Sequence, residues 1–143
     1  MSAFRIASSL KPDATPKAKP VKSKGYLSFI RKLPCCISGV WDVEAAHVSF
    51  AAPWYGCYGR GKGAKVADRF ALPVSSKLHT LQHSGKLGSE KDFWDHHGII
   101  PHELANTLFG IWSDYDEYEA VERAKSRIMA GLADRELLPM REI

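Results

Sequence analysis

Three histidines and two carboxylates are spaced in this sequence in a way that suits hydrolytic chemistry at a metal ion. His79 and His83 stand four positions apart in Ser76-Lys77-Leu78-His79-Thr80-Leu81-Gln82-His83. On a helix that spacing puts both imidazoles on one face, about one turn apart, where two ring nitrogens can reach one divalent cation. Taken alone, the pair serves equally well as two solvent-facing side chains. His47, upstream in Glu44-Ala45-Ala46-His47-Val48, and Asp68, in Asp68-Arg69-Phe70, extend the set. A neutral imidazole with an ordinary pKa of ~6.5 can take a proton from water at neutral pH. A carboxylate can orient such an imidazole or join a metal shell. Glu44 lies two residues before Ala46 and therefore shares its face on a strand.

These residues need a hairpin and a helix to hold them. Val40 to Val43 reads as a short strand, with Ala45 to Phe50 as its antiparallel partner or continuation. Phe70 to Val74 is the next strand, with Pro73 at its end or at an edge. Ser75 or Ser76 can cap the helix that carries His79 and His83, and Gly85 and Gly88 break that helix. Between the strands, Ala51 to Lys65 is a loop holding Gly56, Gly59, Gly61 and Gly63 with the cations Arg60, Lys62 and Lys65. Connections of this length in a compact domain are usually functional or mobile. Its glycines lack the strand-to-helix setting and the Lys-Ser/Thr ending of a phosphate-cradling P-loop. Its aromatics, Trp54, Tyr55 and Tyr58, either stack on unpaired bases or cover the back of the hairpin.

The flanks read as scaffold. Tyr26 to Ile30 suits one or two helical turns ended by Pro34, and Cys35 to Gly39 a tight turn. Glu90 to His97 forms a short helix around Phe93 and Trp94. Pro101 fits the first position of a helix running to about Trp112, with Leu104, Leu108 and Ile111 on one face. Asp114 to Leu132 is the longest helix, with Val121, Ala124, Ile128 and Leu132 facing inward. His96, His97 and His102 read as capping or surface residues.

With 143 residues, 45% hydrophobic and 25% charged, the chain suits one globular domain. No apolar run is long enough to span a bilayer, so no membrane association is expected, and early charges argue against a secretory signal. Three cysteines, Cys35, Cys36 and Cys57, form no even disulfide framework and fit a cytoplasmic location. Residues 1–24 carry six Lys/Arg against one Asp, residues 25–100 nine against six acidic groups, and residues 101–143 five against nine. The expected organisation is a disordered basic arm over 1–24, a core over 25–100 and a helical scaffold over 101–143, giving an α+β chain. A basic front half with an acidic end points to a polyanion approached from one side.

The order of strand-His, loop, Asp, Leu-Pro strand and His-x3-His helix resembles the HNH, or ββα-metal, endonuclease motif. More narrowly, it is similar to the phage RecA-dependent, recombination-enhancing nucleases. The residues that carry the likeness are Leu33-Pro34-Cys35-Cys36, His47, Gly63-Ala64-Lys65, Asp68, Leu72-Pro73-Val74, His79 and His83, within residues 26–98. The resemblance implies a DNA endonuclease or nickase with His47 as general base and Asp68 orienting it or reinforcing the metal shell. It implies one divalent cation (Mg, Mn or Zn) held by His79 and His83, with DNA and a recombinase filament as partners in a bacterial host cell. Arg60, Lys62, Lys65 and Arg69 would contact phosphates. The chain departs from the pattern at Ala46, where many members carry a metal-ligating His or Asp. Glu44 is the candidate substitute. It departs again at Ser75 and Ser76, in a stretch where a common version of the motif has structural cysteines. A binding module without cleavage is the alternative these departures leave.

Overall fold

The computed structural model describes residues 23–59 and 66–135. The expected arm therefore lies almost wholly outside the described residues. Ser23 and Lys24, assigned to it from sequence, instead begin the fold. Ser23 is the N-cap of α1 (Lys24–Ile30), its hydroxyl accepting from the Tyr26 backbone N–H at 3.2 Å. From α1, Tyr26, Phe29 and Ile30 enter the core. The Tyr26 ring meets Phe109 and Trp112 edge-on, and burial pushes its phenol pKa well up, so it stays a neutral donor.

Two strands form an antiparallel pair, β1 (Val43–His47) with β2 (Ala71–Ser75). Glu44 sits opposite Val74, Ala46 opposite Leu72 and His47 opposite Ala71. Of the two arrangements expected from sequence, Ala45–Phe50 as the partner of Val40–Val43 or as its continuation, the pairing is not found: β1 runs through residues of both segments and pairs with β2. Residues 35–40 close on themselves instead. The Cys35 N–H donates to the Val40 carbonyl, the Gly39 N–H donates to the Cys35 carbonyl, and Gly39 takes a φ of +82°. The strand starts only beyond this turn, at Val43. The partner comes from the far side of the long loop, and Val48 adds one more bond, to the Phe70 carbonyl. Every residue of β2 is buried, so Pro73 lies in a covered strand, where its carbonyl accepts from the Cys36 N–H at 3.0 Å.

Ser75 ends β2 and caps α2 (Ser76–Ser84), accepting from the Leu78 N–H, and Gly85 closes that helix in the left-handed conformation. Then follow α3 (Glu90–His96), entered through a Ser89–Asp92 capping box, α4 (Pro101–Asp114) and α5 (Glu117–Asp134). Among the described residues the fold is thus α+β: five α-helices around one two-stranded antiparallel sheet. Helix α5 buries Ala120, Ala124, Ile128, Gly131 and Leu132, so Val121 is only partly covered. No helix among the described residues is long and apolar enough to cross a membrane.

Candidate functional site

Two polar pairs stand at the two ends of β1. At the end next to α2, Glu44 leaves the strand opposite Val74, and His79 leaves the first turns of the helix. His79 Nδ1 donates to Glu44 Oε1 at 2.6 Å. This bond, with a second from Ser76, holds the Glu44 carboxyl below the usual carboxylate range, so it is ionised at neutral pH. With Nδ1 carrying the proton, Nε2 is the unprotonated nitrogen of His79. It faces His83 Nε2 at 3.1 Å, and the two rings lie 4.7 Å apart between centroids. The helix explains the convergence: positions four apart stack on one face, and α2 buries none of its residues, so both rings are reachable from solvent.

At the other end, His47 Nε2 meets Asp68 Oδ1 at 2.8 Å. The His47 side chain is 39% exposed and that of Asp68 is 15% exposed, so the base candidate faces outward on a sheltered support. Asp68 opens a short 3-10 turn, Asp68–Phe70, directly before β2. Its Oδ2 accepts from the Ser23 backbone N–H at 2.7 Å. Ser23 was not singled out from sequence, and no local signal marks it, because its contribution is a main-chain donor brought in across 45 positions. Glu44 and His47 stand three positions apart on β1, and both are exposed. The residues that sequence grouped as one cluster therefore form two carboxylate-supported pairs.

A divalent cation can be tested against the first pair. Two nitrogens binding one tetrahedral ion at ~2.0–2.1 Å lie roughly 3.3 Å apart. The 3.1 Å between the two Nε2 atoms is close to that. The carboxylate on Nδ1 is the usual outer partner of a metal-bound imidazole. Glu44 thus stands behind His79 rather than beside it as a third ligand. Among the described residues no three His, Cys, Asp or Glu side chains converge into a metal-holding group. The fit is for two protein ligands, with the remaining positions left to water or substrate oxygen. Ala46, 1% exposed and opposite Leu72, is part of the core.

The remaining candidates divide by surroundings. Arg60, Lys62 and Lys65 lie outside the described residues. The Arg69 guanidinium donates to Asn106 Oδ1 at 3.0 Å and lies 4.4 Å from the Phe70 ring centroid. A Cβ on Gly56 would come within 2.8 Å of it, so it sits tight beneath that loop. Its observed partners are structural ones. His102, expected at the surface, is 1% exposed. Its Nε2–H donates to the Phe50 carbonyl at 2.9 Å, and its ring packs against Phe50, Tyr55 and Phe70. Pro101 turns α4 inward from its first residue, which buries the side chain that follows. Cys35, Cys36 and Cys57 are buried free thiols, and burial pushes the Cys36 pKa well up, which keeps it protonated.

A family model described as a protein of unknown function, DUF968, matches residues 12–109, a span that holds both strands, α2 and every paired histidine above. No curated protein and no solved structure matches the chain. Because the matched span covers well over half of the sequence, the chain belongs to the DUF968 family.

Proposed function

We propose that this protein is a metal-dependent DNA endonuclease or nickase of the HNH, ββα-metal type, hydrolysing phosphodiester bonds. The observation that carries the reading is the His79–His83 pair. Their Nε2 atoms converge while a carboxylate holds the opposite nitrogen of His79, on the helix that directly follows an antiparallel strand pair. His79 and His83 would hold one divalent cation, Mg, Mn or Zn. Bound there, such a cation supplies Lewis-acid stabilisation of the charge that develops on the phosphate.

His47 is the general base. Asp68 accepts from its Nε2–H, which leaves Nδ1 as the nitrogen that takes a proton from the attacking water. Asp68 fixes both tautomer and ring orientation, as a supporting carboxylate does in hydrolases generally. The resemblance in the sequence further supports action beside a recombinase filament in the cytoplasm of a bacterial host. Plasmid nicking with each of the three metals tests the reading. Wild type should convert supercoiled to open-circular DNA, and His47→Ala should not. Equal nicking by both proteins, or none by either with any metal, would overturn it.

A second reading is favoured by one residue. Ala46 is buried in the core and offers no ligand beside His47. On that reading the chain binds nucleic acid without cutting it. Retained DNA binding with no nicking under all three metals would select this reading over the first.

A further inference from the structure

The loop that leaves the His47 end of β1 is both anchored and armed. An antiparallel bridge between Ala52 and Cys57 closes it, with backbone bonds of 2.7 and 3.3 Å. Gly56 turns it at a φ of +85°, and Gly59, at +82°, presses so near Ala51 that a Cβ would meet it at 3.3 Å. From below, Asn106 donates to the Tyr55 carbonyl at 3.1 Å, and the Tyr55 ring lies parallel to His102. Cys57 is buried beneath. Two large rings on this fixed base nevertheless point away from the protein. Trp54 is 90% exposed and Tyr58 is 78% exposed.

Sequence left two roles for Trp54, Tyr55 and Tyr58; Tyr55 stacks on His102, while for Trp54 and Tyr58 exposure removes the covering role, since rings this open cover nothing. Holding two such rings in water forgoes the burial that aromatic side chains ordinarily gain, which is unexpected unless something else covers them. The supports under the loop mean that little ordering is lost when a flat partner stacks on it. The loop joins the C-terminal end of β1 to the N-terminal end of β2, so it springs from the end where His47 meets Asp68. As a sequence, residues 25–100 carry nine Lys/Arg against six acidic residues, a balance that suits a phosphate backbone. Bases held in a duplex hide their faces from such rings; unpaired bases present them.

We infer that Trp54 and Tyr58 form a stacking platform for unpaired bases, and that the strand this protein engages is single-stranded DNA or the open part of a junction or gap. The inference rests on the nuclease reading only for why DNA is bound at all, and its test does not use cleavage.

Binding of the full chain to dT20, to a 20-bp duplex and to rU20 is measured by fluorescence anisotropy without added divalent metal. The variants are Trp54→Ala/Tyr58→Ala and Trp54→Phe/Tyr58→Phe. With both rings removed, affinity for dT20 should fall by roughly thirtyfold or more, as expected for losing two stacked bases. Duplex affinity should change by less than about threefold, and the phenylalanine pair should restore most of the loss, because any aromatic face stacks. Unchanged dT20 affinity would overturn the inference and leave the rings to a protein partner. Equal losses on dT20 and duplex, or no rescue by phenylalanine, would also overturn it. Tighter binding to rU20 than to dT20 would overturn the assignment to DNA. If wild type binds none of the three, the platform and the nuclease reading both fail. If dT20 binding behaves as expected while His47→Ala nicks like wild type, only the nuclease reading fails.

Discussion

The histidines of β1 and α2 and the histidine at the start of α4 are the same residue put to opposite uses. His47 and His79 each meet a carboxylate at the surface, at 2.8 and 2.6 Å. His102 meets a backbone carbonyl and three aromatic rings, at 1% exposure. A carboxylate fixes which nitrogen carries the proton and leaves the other in solvent, ready for a proton or a metal. A carbonyl inside a ring of aromatics satisfies the imidazole and closes it off. Partner and exposure, rather than residue type, separate a solvent-facing histidine from a packing one.

Substitution should split the two regions cleanly. His47→Ala should lower nicking by about 10²- to 10⁴-fold, the usual worth of a general base, while changing stability by no more than ~1 kcal/mol. The pair it breaks is partly exposed, and such pairs add little to folding. His102→Ala should do the reverse. It empties a space in the core and leaves the Phe50 carbonyl without its donor, for a loss of about 3 kcal/mol. Nicking per folded molecule should stay within a few-fold of wild type. Urea unfolding beside the plasmid assay reads both. If His47→Ala unfolds early or His102→Ala silences a well-folded protein, the division between the regions is wrong.

The Glu44–His79 bond sharpens the comparison inside the site itself. If Glu44 acts through His79 and is not itself a ligand, Glu44→Ala should weaken Mn or Zn binding by roughly 10- to 100-fold, the usual effect of removing an outer carboxylate. His79→Ala should abolish binding at the pair. Isothermal titration calorimetry distinguishes these outcomes. Equal loss in both variants would make Glu44 a direct ligand, as its position on the strand first suggested.

Much of this arrangement was legible in the sequence because it depends on local spacing. The i, i+4 histidines, the Ser75 cap, the Gly85 stop and Pro101 at a helix start each follow from backbone rules acting over a few residues, and each is found where expected. The strand partner was not legible. Val40 to Phe50 alternates acceptably as a hairpin by itself, and nothing local to it marks Ala71–Ser75 as the partner of β1. The burial of His102 and the Asn106 partner of Arg69 were missed for a common reason. A cation and an imidazole look like surface residues until the fold supplies Asn106, Phe50 and Tyr55 from 37 to 52 positions away. Glu44 fell between the two cases. Its face was right, but whether it touches a metal or a histidine depends on where α2 crosses the sheet.

Acid should find the buried region before it finds the site's carboxylates. Burial, as the leading cause, holds the pKa of His102 below its ordinary value, partly opposed by its bond to the Phe50 carbonyl and by nearby Glu90. His97 is lowered too, by burial and then by the charges of His96 and Arg135. For both, the unfolded chain binds a proton near pH ~6.5 that the folded chain refuses until lower pH. Their contribution to stability is therefore complete above ~6.5 and is lost as pH falls below it. Glu44, held low instead, keeps its contribution until pH drops under the usual carboxylate range. Between pH 7.5 and 5.5 the melting temperature should fall by roughly a few degrees. His102→Gln retains a donor for the Phe50 carbonyl but cannot titrate, so its fall over the same interval should be smaller, whatever its starting Tm. Scanning calorimetry at three pH values measures this, and parallel falls in the two proteins would show that burial does not hold protons off His102.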